Sequence, residues 1–373
     1  MIRHAEIPRG TARYSRGDFG HSPLLVFYEL TQACDLVCQH CRACAQSQPD
    51  PAELTTAESM RLIDQLTEFP KPPMLVLTGG DPLKRSDIYQ LIQYAVRAGL
   101  DVSITPSATP LVTAEAIRRM RDAGISRMAV SIDGADAATH DAVRGVRGSF
   151  ARSLEMLADA RAAGIPTQVN TTLTPGNVGQ IERMAELFAR QEIVLWSVFF
   201  LVPVGRARYL PRLSAEECET AFAQLWEQAR QRPFALKTTE APHYRRYAIQ
   251  HQLPKRVRGA LDSTVGRPPA GFAPLGVNDG KGVLFVSHVG LLYPSGFLPM
   301  VCGMFPSEHI VQVYQQSPIF QALRDADRLE GKCHDCEFRE ICGGSRARAY
   351  AVSENVFAPD PDCVYIPKAH TPA

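Results

Sequence analysis

From Leu24 to about Arg232, short apolar runs alternate with amphipathic stretches, and this alternation restricts the possible folds more than any other feature of the chain. The runs fall at 24–30, 74–78, 102–105, 128–132, 167–172 and 194–201, and each is a strand candidate. The stretches between them space their apolar residues at helical intervals. Met60, Ile63, Leu66 and Phe69 do so within 59–69, as do Ile88, Leu91, Ile92 and Ala95 within 87–98. Further helices are expected at 114–123, 149–163, 178–190 and 215–231. Strands that are each followed by a helix imply parallel pairing through right-handed crossovers. The expected fold class is α/β, a partial (β/α)6 barrel of the TIM type, with its chemistry at the C-terminal ends of the strands. A closed eight-stranded barrel needs two more units than this pattern supplies.

The flanks read differently. Residues 1–23 are basic and broken by Pro and Gly, which predicts a loosely held N-terminal arm before a barrel at 24–232. Residues 233–271 form a linker and possible substrate-contacting segment, with a strand candidate at 234–239, a short helix at 242–252 and a Pro- and Gly-rich stretch at 254–274. The last unit, 272–373, begins with two short strands, 282–286 and 290–293, placed as a hairpin. Short helices and cysteine-bearing loops follow.

Composition excludes several classes. A chain that is 45% hydrophobic and 21% charged, with net charge +1, has no excess of charge to attract nucleic acid or a membrane surface. No stretch approaches the about 18–20 uncharged apolar residues of a membrane helix, and the N-terminus lacks the apolar core of a signal peptide. The cytoplasm is the expected compartment. There disulfides are disfavoured, so clustered cysteines point to metal or catalysis. Of ten cysteines, Cys34, Cys38, Cys41 and Cys44 cluster early, and Cys333, Cys336, Cys342 and Cys363 late. Cys218 and Cys302 stand alone and read as plain residues.

The first cluster directly follows the first strand as Cys34-x3-Cys38-x2-Cys41. A loop leaving a strand end can wrap three thiolates around one side of an iron–sulfur cube and leave one metal corner open for chemistry. A zinc site with Cys44 as fourth ligand is the structural alternative, and Cys38-x2-Cys41-x2-Cys44 is another register. The second strand runs into Gly79-Gly80-Asp81-Pro82, so both loops are expected at one face. Paired glycines let backbone approach a ligand closely. Taken together, the triad and this turn resemble the radical S-adenosylmethionine (SAM) superfamily, whose Gly-Gly-Glu-Pro turn binds the methionyl ammonium; here Asp81 replaces the usual Glu.

That resemblance implies a SAM-binding [4Fe–4S] cluster on Cys34, Cys38 and Cys41, with SAM chelating the open iron and yielding a 5′-deoxyadenosyl radical. It implies SAM contacts from His40, Gly79, Gly80, Asp81 and Pro82. Ser131-Ile-Asp-Gly and His140-Asp-Ala-Val-Arg144-Gly resemble a stretch of the peptide- and cofactor-maturing branch, which adds Ser131 and Arg144. Ser107 and Asn170 are strand-end candidates. Each of these polar residues has an equally ordinary reading as a turn or cap.

The late cluster has the pattern C-x2-C-x5-C-x20-C. Four thiolates fit either tetrahedral zinc or a fully ligated cubane. It resembles the SPASM/twitch extension of radical SAM maturases, which implies one auxiliary [4Fe–4S] cluster on Cys333, Cys336, Cys342 and Cys363. Ser295 and Ser345 stand where a second auxiliary cluster would have cysteines. Beside His243 and Tyr244, the five cations Arg245, Arg246, Lys255, Arg256 and Arg258 can receive carboxylates or simply form a solvated loop. The resemblance implies an enzyme acting on a peptide or tetrapyrrole substrate and fed by an external flavodoxin- or ferredoxin-type electron donor. Decarboxylation of porphyrin propionates, as on an Fe-coproporphyrin-type substrate, is one branch and peptide modification the other. A non-catalytic iron–sulfur electron carrier is the alternative of another class.

Overall fold

In a computed structural model of the chain, residues 14–252 and 276–370 are described. The Pro- and Gly-rich linker and Lys255, Arg256 and Arg258 lie outside them. Six parallel strands appear where the apolar runs place them: β1 (Leu25–Glu29), β2 (Met74–Thr78), β3 (Asp101–Ile104), β4 (Arg127–Ser131), β5 (Thr167–Leu173) and β6 (Leu195–Phe200). Two more strands extend this array. β7 (Ala235–Thr239) pairs parallel with β6, and β8 (Val283–Val286) pairs parallel with β1, Leu25 opposite Val283. β9 (Leu291–Tyr293) and β10 (Gly303–Met304) continue antiparallel beyond β8. The order is β10-β9-β8-β1-β2-β3-β4-β5-β6-β7, a curved sheet whose ends do not pair with each other.

The helices cover one face of this sheet. They are α1 (Thr56–Thr67), α2 (Ile88–Arg97), α3 (Ala114–Ala123), α4 (Ala137–Arg144), α5 (Ser149–Ala162), α6 (Ile181–Arg190) and α7 (Ala215–Gln231). α1 begins earlier than its apolar spacing predicts because Thr55 and Glu58 close a capping box: Thr55 Oγ1 accepts from Glu58 N while the Glu58 carboxylate accepts from Thr55 N. α4 was not expected; Asp136 caps it by accepting from Thr139 N. Alternation along each strand sorts side chains to the two faces. Val26, Tyr28, Leu75, Leu77, Val102, Met128, Val130, Val169 and Trp196 are buried in the core beneath the helices. Their neighbours Asp101, Ser103, Arg127, Gln168, Asn170, Ser197 and Lys237 line the barrel interior together with Leu25, Phe27, Met74 and Val76, so polar and charged groups are set into an apolar wall.

Two expectations need correction. Residues from Tyr14 onward are held, not loose: Phe19 is buried, Tyr14 donates to the Pro23 and Lys71 carbonyls, and Tyr314 donates to Phe19 O. The expected hairpin of β8 and β9 is present, but it is not merely appended, since β8 is also bonded to the barrel's first strand. The C-terminal segment continues through α8 (Ile310–Gln316), α9 (Pro318–Arg324), α10 (Gly331–His334) and α11 (Arg346–Ser353). Arg348 ties it down, with Nε and Nη2 donating to Asp360 at 2.9 Å and Nη1 to Glu240 O at 2.7 Å. No helix of the described residues is long and apolar enough to cross a membrane.

Candidate active site

The loops after β1 and β2 are stitched together by main-chain bonds. Gly80 N donates to Thr31 O, and Asp81 N to Ala33 O, both at 2.7 Å. A side chain at Gly80 would sit 2.3 Å from Ala33 O, so only glycine allows this approach. The third cysteine is clamped from another side. Arg206 N donates to Cys41 O at 3.0 Å, and Gly205, at φ +57°, lies where a side chain would meet Cys41 O at 2.6 Å. Three loops from three strand ends thus fix 34–41.

Cys34, Cys38 and Cys41 line one cavity of about 210 Å³. His40, Gly79, Gly80, Ser107, Ser131, Arg144 and Asn170 line it too. Cys44 is exposed and does not, which removes the register through Cys44. Among the described residues no group of three or more His, Cys, Asp or Glu side chains is arranged to hold a single metal ion. A cavity this size beside three thiols fits a multi-atom group instead. Burial pushes the Cys34 thiol up, opposed by Ser107 Oγ at 3.5 Å and Leu36 N at 3.4 Å; metal binding has to release that proton.

Asp81 and Pro82 are not in the cavity wall. The buried Asp81 carboxylate accepts from Thr109 Oγ1 at 2.7 Å and from Leu83 N, and so holds the turn. Pro82 opens a short 3-10 turn behind it. The glycine backbone is what faces the cavity.

Several residues beyond the motifs matter. Asp133 is fully buried, accepts from Thr172 N at 2.7 Å and pairs with Arg144 Nη2 at 2.6 Å. Burial opposes the Asp133 charge, but Arg144, then His40 and His140, hold its carboxyl below the usual range. Arg144 in turn reaches Cys38 Sγ at 3.8 Å. Burial pushes His40 down to about 4, so the ring near the third cysteine is neutral. Arg206 brings to the same cavity a guanidinium whose Nε and Nη2 are buried without partners. Its position after the sixth strand was the available signal.

Two further cavities share walls with the first through Thr105, Asn170 and Phe199. One, about 340 Å³, lies between barrel and C-terminal segment, lined by Phe27, Phe199, Phe285 and Phe297 with Arg42 and Lys237. Arg42 sits 4.5 Å over the Phe285 ring and donates to Glu29 Oε2 at 2.9 Å; Glu29 Oε1 bonds His288 Nδ1 at 2.8 Å. The other, about 350 Å³, lies deeper in the barrel. Cys333, Cys336, Cys342 and Cys363 line a separate small cavity with His243, Asp360 and Tyr365. Ser345 Oγ donates to the Glu240 carboxylate at 2.6 Å, and Ser295 Oγ accepts from Phe297 N, so both serines make structural bonds.

The run at 243–246 is not a solvated loop. His243, Tyr244 and Arg246 are buried. Arg246 forks onto Glu219, and Arg245 donates to Ile341 O and Val277 O. Tyr244 and Arg245 line the 340 Å³ chamber; His243 and Arg246 do not.

A partial barrel with an open-sided thiol triad and a glycine turn at one mouth defines an iron–sulfur enzyme that uses SAM, and the comparisons agree. The Radical SAM superfamily profile matches residues 28–188. The AdoMet-dependent heme synthase of Methanosarcina barkeri is 37% identical over 347 residues, covering 93% of this chain and 98% of that one. That of Nitratidesulfovibrio vulgaris is 38% identical over 354 residues, covering 93% and 94%. The crystal structure of Streptococcus suis SuiB bound to precursor peptide SuiA superposes with a TM-score of 0.71 at 15% identity, covering 92% of this chain and 76% of that one, a likeness of fold. The chain belongs to the radical SAM superfamily and is an enzyme of that family.

Proposed function

We propose that the protein forms haem by oxidative decarboxylation, converting propionate side chains of an Fe-coproporphyrin-type tetrapyrrole to vinyl groups. One observation carries this reading: end-to-end identity of 37–38% with two AdoMet-dependent heme synthases, against 28% with a mycofactocin maturase of Mycobacterium ulcerans. The chamber supports it, because phenylalanines beside cations suit a flat acidic ligand. When bound, the [4Fe–4S] cluster and SAM supply a 5′-deoxyadenosyl radical that removes one hydrogen atom from the substrate.

The chain's own residues do the rest. Cys34, Cys38 and Cys41 hold the cluster, while the Gly79 and Gly80 backbone, His40, Ser107, Ser131, Arg144 and Asn170 bind SAM. Asp81 and Pro82 shape the turn. Phe199 and Phe297, with ring centroids 6.1 Å apart, add apolar surface to the wall of the cavity that holds the cysteine triad. Each propionate that has lost its hydrogen atom releases carbon dioxide and one electron. Cys333, Cys336, Cys342 and Cys363, which line one small cavity, would hold an auxiliary [4Fe–4S] cluster in a SPASM/twitch-type extension, and such a cluster would supply a one-electron acceptor. A flavodoxin- or ferredoxin-type donor feeds the first cluster.

The test is anaerobic reconstitution with SAM, dithionite and iron coproporphyrin III, with products resolved by chromatography and mass spectrometry. Haem and 5′-deoxyadenosine should appear together. Formation of 5′-deoxyadenosine with the porphyrin unchanged would sink the tetrapyrrole reading, and absence of both would favour an electron carrier.

A further inference from the structure

The lining of the barrel holds two cations that form no ion pair among the described residues. Lys237, midway along β7, lines both the chamber beside the C-terminal segment and the deeper one. Arg127, at the start of β4, lines the deeper one. Among the described residues neither forms an ion pair, and Arg127 Nε is buried without a hydrogen-bond partner. Asp101 also lines this space, and its charge favours the cationic form of Arg127, but the two form no ion pair and Asp101 Oδ1 has no hydrogen-bond partner, so Lys237 is left without a counterion. Burial pushes Lys237 down to about 8, and the Arg127 charge pushes it the same way. Lys237 is still mostly protonated at pH 7. Other cations nearby are already engaged: Arg42 by Glu29, Arg246 by Glu219, and Arg245 by two carbonyls.

Two like charges that line one cavity and repel each other cost folding energy unless an anion joins them. We propose that Lys237 and Arg127 form a subsite for a carboxylate of the substrate, at the end of the cavity away from the cysteine triad. This rests on the tetrapyrrole reading and names where one of the substrate's acidic groups sits. Lys237 supplies a point charge and Arg127 a planar fork that accepts a carboxylate side-on. Asn170 and Phe199 line all three cavities, so they lie between this subsite and the mouth. The seated carboxylate is therefore not the reacting one. It fixes the rim of a flat ligand so that another propionate faces the loop at 34–41.

The variants are Lys237→Met and Arg127→Gln, and two measurements are made on each. The first is affinity for iron coproporphyrin III, followed by its Soret band, beside that for its tetramethyl ester. Losing a charge-assisted bond should weaken binding of the free acid about ten- to a hundredfold, with the ester bound equally by wild type and variants. The second is the melting temperature of ligand-free protein. Replacing an unpaired, partly buried cation with Met should leave it unchanged or higher, whereas a purely structural lysine would lower it. Unaltered affinity for the free acid in both variants overturns the subsite, as does a fall in melting temperature for Lys237→Met. A wild type that binds no porphyrin overturns the tetrapyrrole reading instead, and the melting temperature alone then decides the unpaired cation.

Discussion

Adding one methyl group at Gly80 should empty the active site without unfolding the protein. A Cβ there lies 2.3 Å from Ala33 O and 2.6 Å from Gln32 O. Contacts below 3.0 Å essentially never occur, so the backbones must part by 0.7 Å, the difference between 3.0 and 2.3. Both obstacles are main-chain atoms and cannot swing aside. The bonds from Gly80 N and Asp81 N, each 2.7 Å, would stretch to about 3.4 Å, beyond useful strength. Two weakened bonds at about 1 kcal/mol each and overpacking of about 1–3 kcal/mol give a loss of about 3–5 kcal/mol. Against a total of about 5–15 kcal/mol, the fold survives while Cys34 is drawn away from the turn. The assay combines urea unfolding, iron content and 5′-deoxyadenosine yield. Gly179→Ala is the control, because nothing lies within 4 Å of a methyl group there. Gly80→Ala should retain the iron held at 333–363 and lose 5′-deoxyadenosine formation. Wild-type iron content and product yield in Gly80→Ala would refute the close-approach argument.

Other perturbations test neighbouring parts. Asp133→Asn strands the buried Arg144 without its carboxylate and should cost about 3–5 kcal/mol in urea unfolding; an unchanged midpoint counts against the pair as an anchor. His140 Nδ1 accepts from Asp133 N at 3.0 Å, and burial pushes the ring from 6.5 down to about 4. The unfolded chain therefore binds the extra proton between those values, so stability is complete above about pH 6.5 and falls towards pH 4 by up to about 1.4 kcal/mol per pH unit. His140→Phe should flatten that slope, and an identical slope would exclude His140 as its source. Arg348→Met leaves Asp360 buried without its arginine, while Asp362 keeps Arg212 at 3.0 Å, and should destabilise by about 3–5 kcal/mol, measured by the same unfolding. Cys342→Ser should release the iron of the late quartet while Cys302→Ser releases none; iron loss from both would move Cys302 among the ligands.

The six strands and most helix bounds were legible because their periodicity is set by burial on one side, a local property. β7 was read as a strand inside a linker, since no further helix-strand unit follows it to announce a barrel position. β8 looked like half of a hairpin, which it is. Its pairing with β1 is not visible in sequence because an edge partner leaves no mark on the residues it joins. α4 is short and buries only His140, so it carries little apolar periodicity, and its Asp136 cap is evident only from the bond to Thr139 N. In the site, cysteines and glycines were readable because their roles follow from residue type and spacing. Asp133 and Arg206 were not singled out, since a buried carboxylate and a strand-end arginine have many ordinary roles. The charge run at 243–246 misled in the opposite sense: Arg246 and Arg245 spend their donors on Glu219 and on carbonyls brought from far along the chain.

The pairing of β1 with β8 also bears on biosynthesis. Until Val283 leaves the ribosome, the outer edge of the strand that delivers the first cysteines presents unpaired N–H and C=O groups. A nascent or truncated chain ending before that point carries a sticky edge beside three free thiols. Such a chain is prone to edge-to-edge association. β8, made long after β1, is therefore the strand that seals its edge, and chains truncated before Val283 should accumulate as aggregate.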